Sequence, residues 1–197
     1  MRILGIILAA AMALAAPVNA LTLPANGALK FDVMRKGKDI GDHSYKFSGV
    51  APNFSVQVVT DIAVKLPIIR TTVYSFQHNS TEQWRDGKLN HVTSKTDDDG
   101  DPNQLNTAGK GPLPASLWNM DIVHSKKLLN TIDGHIMKVR VADLGMESVS
   151  TKRGSVNAHH YRISGDLERD LWYDGDGNLA QVVFKADDGS TITYIRK

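Results

Sequence analysis

The feature that most constrains the fold is Asp86-Gly87, which lies between two runs of alternating apolar and polar residues. Asp-Gly fits a type I′ turn, because both central residues of that turn need a positive φ. The pattern predicts one long β-hairpin over Tyr74–Thr96. With a two-residue loop, Glu82 would pair with His91 across the hairpin, and a one-residue error in the turn would change every pair.

One face of this hairpin is predicted to be aromatic and to look inward, because successive side chains of a strand alternate between its two faces. Aromatic rings can line a pocket for an apolar ligand, while imidazoles beside a carboxylate can act as general acid and base. A plain cross-strand pair at the mouth of a barrel is the simpler interpretation of the same residues. The predicted ligand-binding residues are Tyr74, Phe76, His78, Glu82, Trp84 and His91.

Short alternating runs separated by glycine-containing turns continue along the chain. Such spacing is typical of antiparallel all-β proteins. The sequence therefore predicts an all-β, mainly antiparallel fold, in which a strongly curved sheet of about ten strands forms an open or half barrel with one or two short helical segments. No linker rich in proline, glycine or serine divides the chain, so residues 21–197 are expected to form a single domain.

Three less regular stretches carry specific expectations. The polar stretch Asp97–Gly109 is predicted to be a loop, and Ala115–Asn119 is predicted to hold a short helical turn. Asp188-Gly189 is predicted to close a last hairpin that pairs Phe184 with Thr193.

Residues 1–20 have the pattern of a cleaved export signal. Arg2 supplies a positive start, an apolar run covers Ile3–Ala16, and Val18-Asn19-Ala20 fits a small-x-small cleavage site. The apolar run is too short for a membrane span. We therefore expect cleavage after Ala20 and a soluble protein of the periplasm or the extracellular space, with no stable membrane insertion.

Composition excludes several classes of function. The chain has no cysteine, which rules out disulfides, thiol catalysis and cysteine zinc sites. The formal net charge of +2 argues against nucleic acid as a partner, since that needs a basic stripe. The chain also lacks a G-x-S-x-G nucleophile motif and a phosphate loop, which disfavours covalent catalysis.

Three patterns superficially suggest metal sites. Asp97–Asp101 and Asp174–Asn178 have the alternating acidic spacing of calcium loops, but each lacks the glycine and the final glutamate of such loops. Turn chemistry explains both. The pair His159-His160 would point to opposite faces of a strand and could not share one ion. No metal and no cofactor is predicted.

Several motifs resemble an uncharacterised family of exported bacterial proteins, catalogued as a domain of unknown function. The resemblance covers nearly all of the chain after the signal, but its motifs carry no known chemistry, so it implies no catalytic residue. More remotely, the order of curved strands resembles the half-open barrels of bacterial lipoprotein carriers. The motifs include Glu82-x-Trp84-x-Asp86-Gly87-x-Leu89, Leu113-Pro114-x-Ser116-Leu117-Trp118-Asn119 and Asp170-Leu171-Trp172-Tyr173-Asp174.

The sequence leaves three functions open. The first is a periplasmic binding or carrier protein for an apolar molecule such as a lipid, held by the aromatic face. The second is an enzyme that uses Glu82 and His91. The third is an envelope interaction protein without a small ligand. An empty aromatic pocket, a wet cleft or a packed interior would distinguish them.

Overall fold

The computed structural model describes residues 21, 23–66, 71–109 and 111–197, so the predicted export signal lies outside the described residues. Twelve strands follow one another along the described chain. They are β1 (Ala28–Arg35), β2 (Lys38–Val50), β3 (Asn53–Lys65), β4 (Thr72–Arg85), β5 (Lys88–Asp98), β6 (Asp101–Ala108), β7 (Lys127–Leu129), β8 (Ile136–Thr151), β9 (Gly154–Gly165), β10 (Arg169–Asp174), β11 (Leu179–Lys185) and β12 (Thr191–Arg196).

All twelve strands form one antiparallel sheet in the order β6-β5-β4-β3-β2-β1-β12-β11-β10-β9-β8-β7. The sheet does not close into a barrel, and the outer edge of β7 is paired with residues 113–115. The predicted all-β class and open sheet are therefore confirmed, with twelve strands in place of about ten. Every pairing joins consecutive strands except β1 with β12, which unites the two ends of the strand series at the centre of the sheet.

The central hairpin has the predicted turn but a shifted register. Asp86 and Gly87 have φ values of 51° and 70°, as a type I′ turn requires. Trp84 pairs with Leu89 as expected, but a bulge follows, and Glu82 lies opposite Val92. The predicted pairing of Glu82 with His91 is wrong, because an extra residue in β5 reverses the side-chain alternation beyond the turn.

The stretch predicted to be a polar loop is mostly strand β6. Asp99 and Gly100 both have positive φ and turn the chain, after which Asp101–Ala108 pairs along β5. An edge strand needs few apolar residues, because backbone hydrogen bonds to a neighbour hold it in place. The polar side chains of β6 therefore did not show the apolar alternation from which a strand is predicted.

Two further predictions are corrected. The predicted helical turn at Ala115–Asn119 lies further on, as a 3₁₀ helix at Met120–His124 whose first turn is capped by Asn119. In the last hairpin Phe184 pairs with Ile192. A three-residue turn with Gly189 at a φ of 75° sets that register, where a two-residue turn was expected.

The segment of residues 111–134, here called the covering segment, lies against the inner face of the sheet except where Lys127–Leu129 form β7. Tyr45 of β2 donates a hydrogen bond to the carbonyl of Ser116, and Tyr173 of β10 donates to the carbonyl of Leu117. The two strands lie four positions apart, about 19 Å in a flat sheet. Because their hydroxyl groups reach consecutive carbonyls, the sheet must bend around the covering segment.

The hairpin of β8 and β9, here called the arm, bends across the opposite, outer face of the sheet. Its strand β8 runs unbroken through Gly145, where a bulge changes the register. The tip reaches β12 and β1, since the Lys152 amide donates to the Arg196 carbonyl and the Lys152 ammonium lies 2.7 Å from Asp32. This arm buries Val149 on the outer face. No helix in the described part of the chain has the length and apolar character needed to cross a membrane.

Candidate functional site

The structure separates the six predicted site residues into three groups. Glu82 and Trp84 lie on the inner face beneath the covering segment and are almost completely buried. His78 is buried nearer the other end of β4, where Phe76 is half-buried and Tyr74 is 38% exposed. His91 pairs with Gln83 on the outer face because of the bulge in β5. Glu82 and His91 therefore do not form an acid–base pair.

Glu82 forms the centre of the covered half of the inner face. Its Oε2 atom accepts a hydrogen bond from the indole of Trp84 at 3.0 Å and from that of Trp118 at 2.9 Å. Trp118 comes from the covering segment and packs edge-to-face on Trp84, Phe47 and Phe54. The carboxyl group of Glu82 thus joins Trp118 of the covering segment to Trp84 of the sheet.

The other oxygen of Glu82 has no good partner among the described residues. Glu82 Oε1 and the hydroxyls of Ser116 and Ser80 are all buried without a hydrogen bond there. Burial raises the pKa of Glu82, and the contacts with Ser116, Trp118 and Trp84 lower it by less. A protonated carboxyl group could donate to the adjacent Ser116 hydroxyl, which suits an environment without a cation.

A row of alternating histidine and threonine residues crosses the inner face next to the covered half. His43 and Thr60 share a hydrogen bond of 2.7 Å, as do His78 and Thr96. Burial lowers the pKa of His43 to about 3 and that of His78 to about 4. Both rings are therefore neutral at pH 7, and their faces are available for packing against apolar groups.

Beyond this row lies a region that we call the open end, in which partly exposed aromatic side chains pack on a buried cluster of Val33, Ile62 and Ile192. Its aromatic side chains Phe76, Phe184 and Tyr194 are all half-buried. Tyr194 packs on Phe184 and on His43, while Phe76 stacks on His78. The β3–β4 hairpin carries exposed apolar side chains, namely Leu66, Val73 and Tyr74.

Arg169, at the start of β10, lies at the open end, where Arg35 with its partner Asp188 and the carboxyl group of Asp98, opposite Phe76, also lie. The guanidinium carbon of Arg169 is 3.9 Å from the centre of the Phe184 ring. Its one hydrogen bond to a described residue goes to the Glu168 carbonyl. Sequence reasoning missed this residue, although Arg169 alternates with the inward-facing Leu171 and Tyr173 and could have been found from that pattern.

A second cluster that the sequence did not predict lies on the outer face at the base of the arm. His160 stacks on Trp172, and its two ring nitrogens lie 3.0 Å from Glu147 and 2.9 Å from Asp170. Trp172 donates to Glu147, and these contacts lower the pKa of the Glu147 carboxyl group. The cluster fastens the arm to the sheet through both packing and hydrogen bonds.

No metal site is present in the part of the chain that the structure describes. It contains no group of three or more histidine, aspartate or glutamate side chains with a suitable arrangement. Asp97 and Asp174 instead accept hydrogen bonds from the backbone of their own turns. His159 packs on Tyr161 while His160 packs on Trp172, so the two histidines face opposite sides as predicted.

Two surface hollows lie away from the open end. A hollow of about 460 Å³ is lined mainly by polar side chains of β4, β5 and β6, including Asn79, Thr93 and Asn106. Another, of about 570 Å³, lies between the lead-in to β1 and the tip of the arm, beside Arg153 and Lys197. Neither has the aromatic lining that an apolar ligand favours.

These features define an open antiparallel β-sheet protein whose inner face is half covered by its own chain. The chain belongs to the family described as Domain of unknown function (DUF6134), whose model matches residues 31–197. No curated protein and no solved structure matches it. The expected membership of an uncharacterised family is therefore confirmed, while the likeness to lipoprotein carriers stays a prediction.

Proposed function

We propose that this is an exported binding or carrier protein for an apolar molecule such as a lipid, with its ligand site at the open end. The observation that carries the proposal is the partial exposure of Phe76, Phe184 and Tyr194 on the inner face. Aromatic rings in such a position cost free energy when they face water. A ligand that covers them would recover that free energy.

The covered half supports the same proposal in a second way. Leu117 has a φ of 69°, a conformation that costs a residue with a branched side chain roughly 1–3 kcal/mol. The hydrogen bond from Tyr173 holds that residue in place. The covering segment is thus held in place despite local strain. Its displacement would extend the apolar surface along which a long alkyl chain could lie.

The other two functions fit less well. An enzyme based on Glu82 and His91 would need the two side chains on one face, and they lie on opposite faces. A protein without a small ligand would have its apolar side chains covered, whereas Phe76, Phe184 and Tyr194 stay partly exposed above the buried cluster of Val33, Ile62 and Ile192. The open end therefore favours the ligand.

Binding of N-phenyl-1-naphthylamine, whose fluorescence rises in an apolar site, tests the proposal. We expect saturable binding by the chain without residues 1–20, and a loss of about tenfold in affinity for Phe76→Ser, because burying a phenyl ring is worth about 1.5–3 kcal/mol. Val50→Ser is the control, since Val50 is also apolar and is 77% exposed at the end of β2. Mass spectrometry of lipids extracted with the purified protein gives an independent readout. The absence of both signals would contradict the proposal.

A further inference from the structure

Arg169 is partly buried at the open end without a carboxylate partner. Two other arginines are buried to a similar degree, and each has one: Arg35 pairs with Asp188, and Arg196 pairs with Asp174 at 2.7 Å. No described residue forms an ion pair with Arg169. The chain outside the described ranges contains no aspartate or glutamate, so it cannot supply a side-chain carboxylate either.

The guanidinium group also has unused hydrogen-bonding capacity. An arginine carries five N–H donors in a planar fork. For Arg169 the described residues provide one acceptor, the Glu168 carbonyl at 2.7 Å. Its Nε and Nη2 atoms have no partner among the described residues and are not among the fully enclosed polar atoms, so both contact solvent. The remaining donors are therefore accessible to a molecule that enters the open end.

The surroundings of Arg169 are aromatic on the side of the sheet. The guanidinium lies on the Phe184 ring, and Phe184 packs on Tyr194 at 5.9 Å between ring centres. Tyr194 in turn packs on His43, with 4.9 Å between the two ring centres. Burial lowers the pKa of Arg169, and the nearby Tyr194 and Glu168 raise it by less. The charge persists at neutral pH because arginine stays protonated in proteins.

We propose that Arg169 binds the acidic head group of the ligand, so that the open end takes an anionic amphiphile with a carboxylate or phosphate group joined to an alkyl chain. The head group would accept hydrogen bonds from the free guanidinium donors, and the alkyl chain would lie along Phe184 and Tyr194. A charged acceptor in this position supplies the partner that the partly buried guanidinium lacks. This inference rests on the proposed function and specifies its ligand class.

Displacement of N-phenyl-1-naphthylamine by amphiphiles of equal chain length tests the inference. Dodecanoate, dodecyl phosphate, 1-dodecanol and dodecyltrimethylammonium differ chiefly in head group. For the unaltered chain after residue 20, we expect the two anions to compete at least tenfold better than the alcohol, and the cation to compete worst. Dodecanoate against dodecyl phosphate then distinguishes a carboxylate ligand from a phosphate ligand. This preference needs no variant, so it remains a test even if substitutions unfold the protein.

Variants then assign the preference to Arg169. Arg169→Met keeps the aliphatic length and should weaken both anions about tenfold while changing 1-dodecanol less than twofold. Arg169→Lys should keep part of the preference. Arg162→Met is the matched control, because Arg162 pairs with Asp170 on the outer face. It should change neither the competition by the anions nor that by 1-dodecanol.

Two outcomes would overturn the inference, and they are distinguishable. If all four amphiphiles compete equally, or if Arg169→Met weakens the alcohol as much as the anions, the ligand site stands but the head-group role of Arg169 does not. If the unaltered protein takes up neither the dye nor any amphiphile, the proposed function fails together with the inference.

Discussion

The covered half and the open end share one inner face of one sheet, yet the pKa values of their buried titratable groups are shifted in opposite directions. In the covered half a carboxyl group, Glu82, is enclosed by indole rings, and burial raises its pKa. Toward the open end two imidazoles are buried beside threonines, and burial lowers their pKa values. Both halves thus favour the neutral form of their titratable groups. The difference teaches that the covering segment, and not the strand sequence alone, decides which part of this face meets solvent.

The largest effect should come from removing the side chain that fills the covered half. Trp118→Ala deletes an indole that packs on three rings and donates to Glu82, so we expect it to destabilise the protein by about 3–5 kcal/mol. Urea unfolding measures this. Phe76→Ala at the open end is the counterpart and should cost less than half as much, because Phe76 is only half-buried. Equal losses would show that the two halves do not differ in packing.

Acidification should weaken the protein through the two buried histidines. Their folded pKa values of about 3 and about 4 lie below the unfolded value of about 6.5, so the unfolded state binds protons first as the pH falls. Each histidine then removes up to about 1.4 kcal/mol of unfolding free energy per pH unit between about pH 6.5 and its folded pKa.

Urea unfolding at pH 7, 6, 5 and 4 would reveal this slope. His78→Gln should reduce the slope by roughly half, since one of the two groups is removed. His124→Gln serves as the control, because His124 is exposed on the covering segment. A slope that is unchanged in His78→Gln would mean that other groups cause the acid sensitivity.

Glu82 should act in the opposite direction and more weakly. A carboxyl group with a raised folded pKa binds its proton more tightly in the folded state, so its contribution to stability is lost as the pH rises through that pKa. Glu82→Gln keeps the indole acceptor and supplies a donor toward Ser116, and we expect it to stabilise the protein by about 1 kcal/mol at pH 8.

The same variant should bring no gain at pH 4, where the carboxyl group is protonated. Glu147→Gln is the matched control on the outer face, where the pKa of the carboxyl group is lowered, and it should not stabilise at pH 8. Destabilisation by Glu82→Gln at both pH values would indicate that Glu82 is ionised in the folded protein.

The sequence specified the strands better than their registers. Local turn chemistry predicted Asp86-Gly87 correctly, because the φ preferences of two residues suffice. The bulge at Asn90 could not be predicted, since it depends on a distant partner: the Asn90 carbonyl accepts a hydrogen bond from Gly109. That one residue moved His91 to the outer face and removed it from the predicted site.

The covering segment illustrates a second limit. Its residues Leu117 and Trp118 were noticed in the sequence, but nothing local says that they pack on Glu82, more than 30 positions earlier in the chain. Arg169 differs, because the alternation of β10 placed it inward. Its importance depends on the absence of a carboxylate nearby, and that absence is visible only once the whole sheet is assembled.

The pairing of β1 with β12 has a consequence for how the molecule could be taken apart. Strands β1–β6 form one meander and β7–β12 another, and the main-chain seam between the two is that central pair. Two separately expressed pieces, cut near Gly109, should therefore reassemble when mixed, with Trp118 of the second piece docking on Glu82 of the first. The protein would behave as a split reporter, in which the half that carries the covering segment completes the half that it covers.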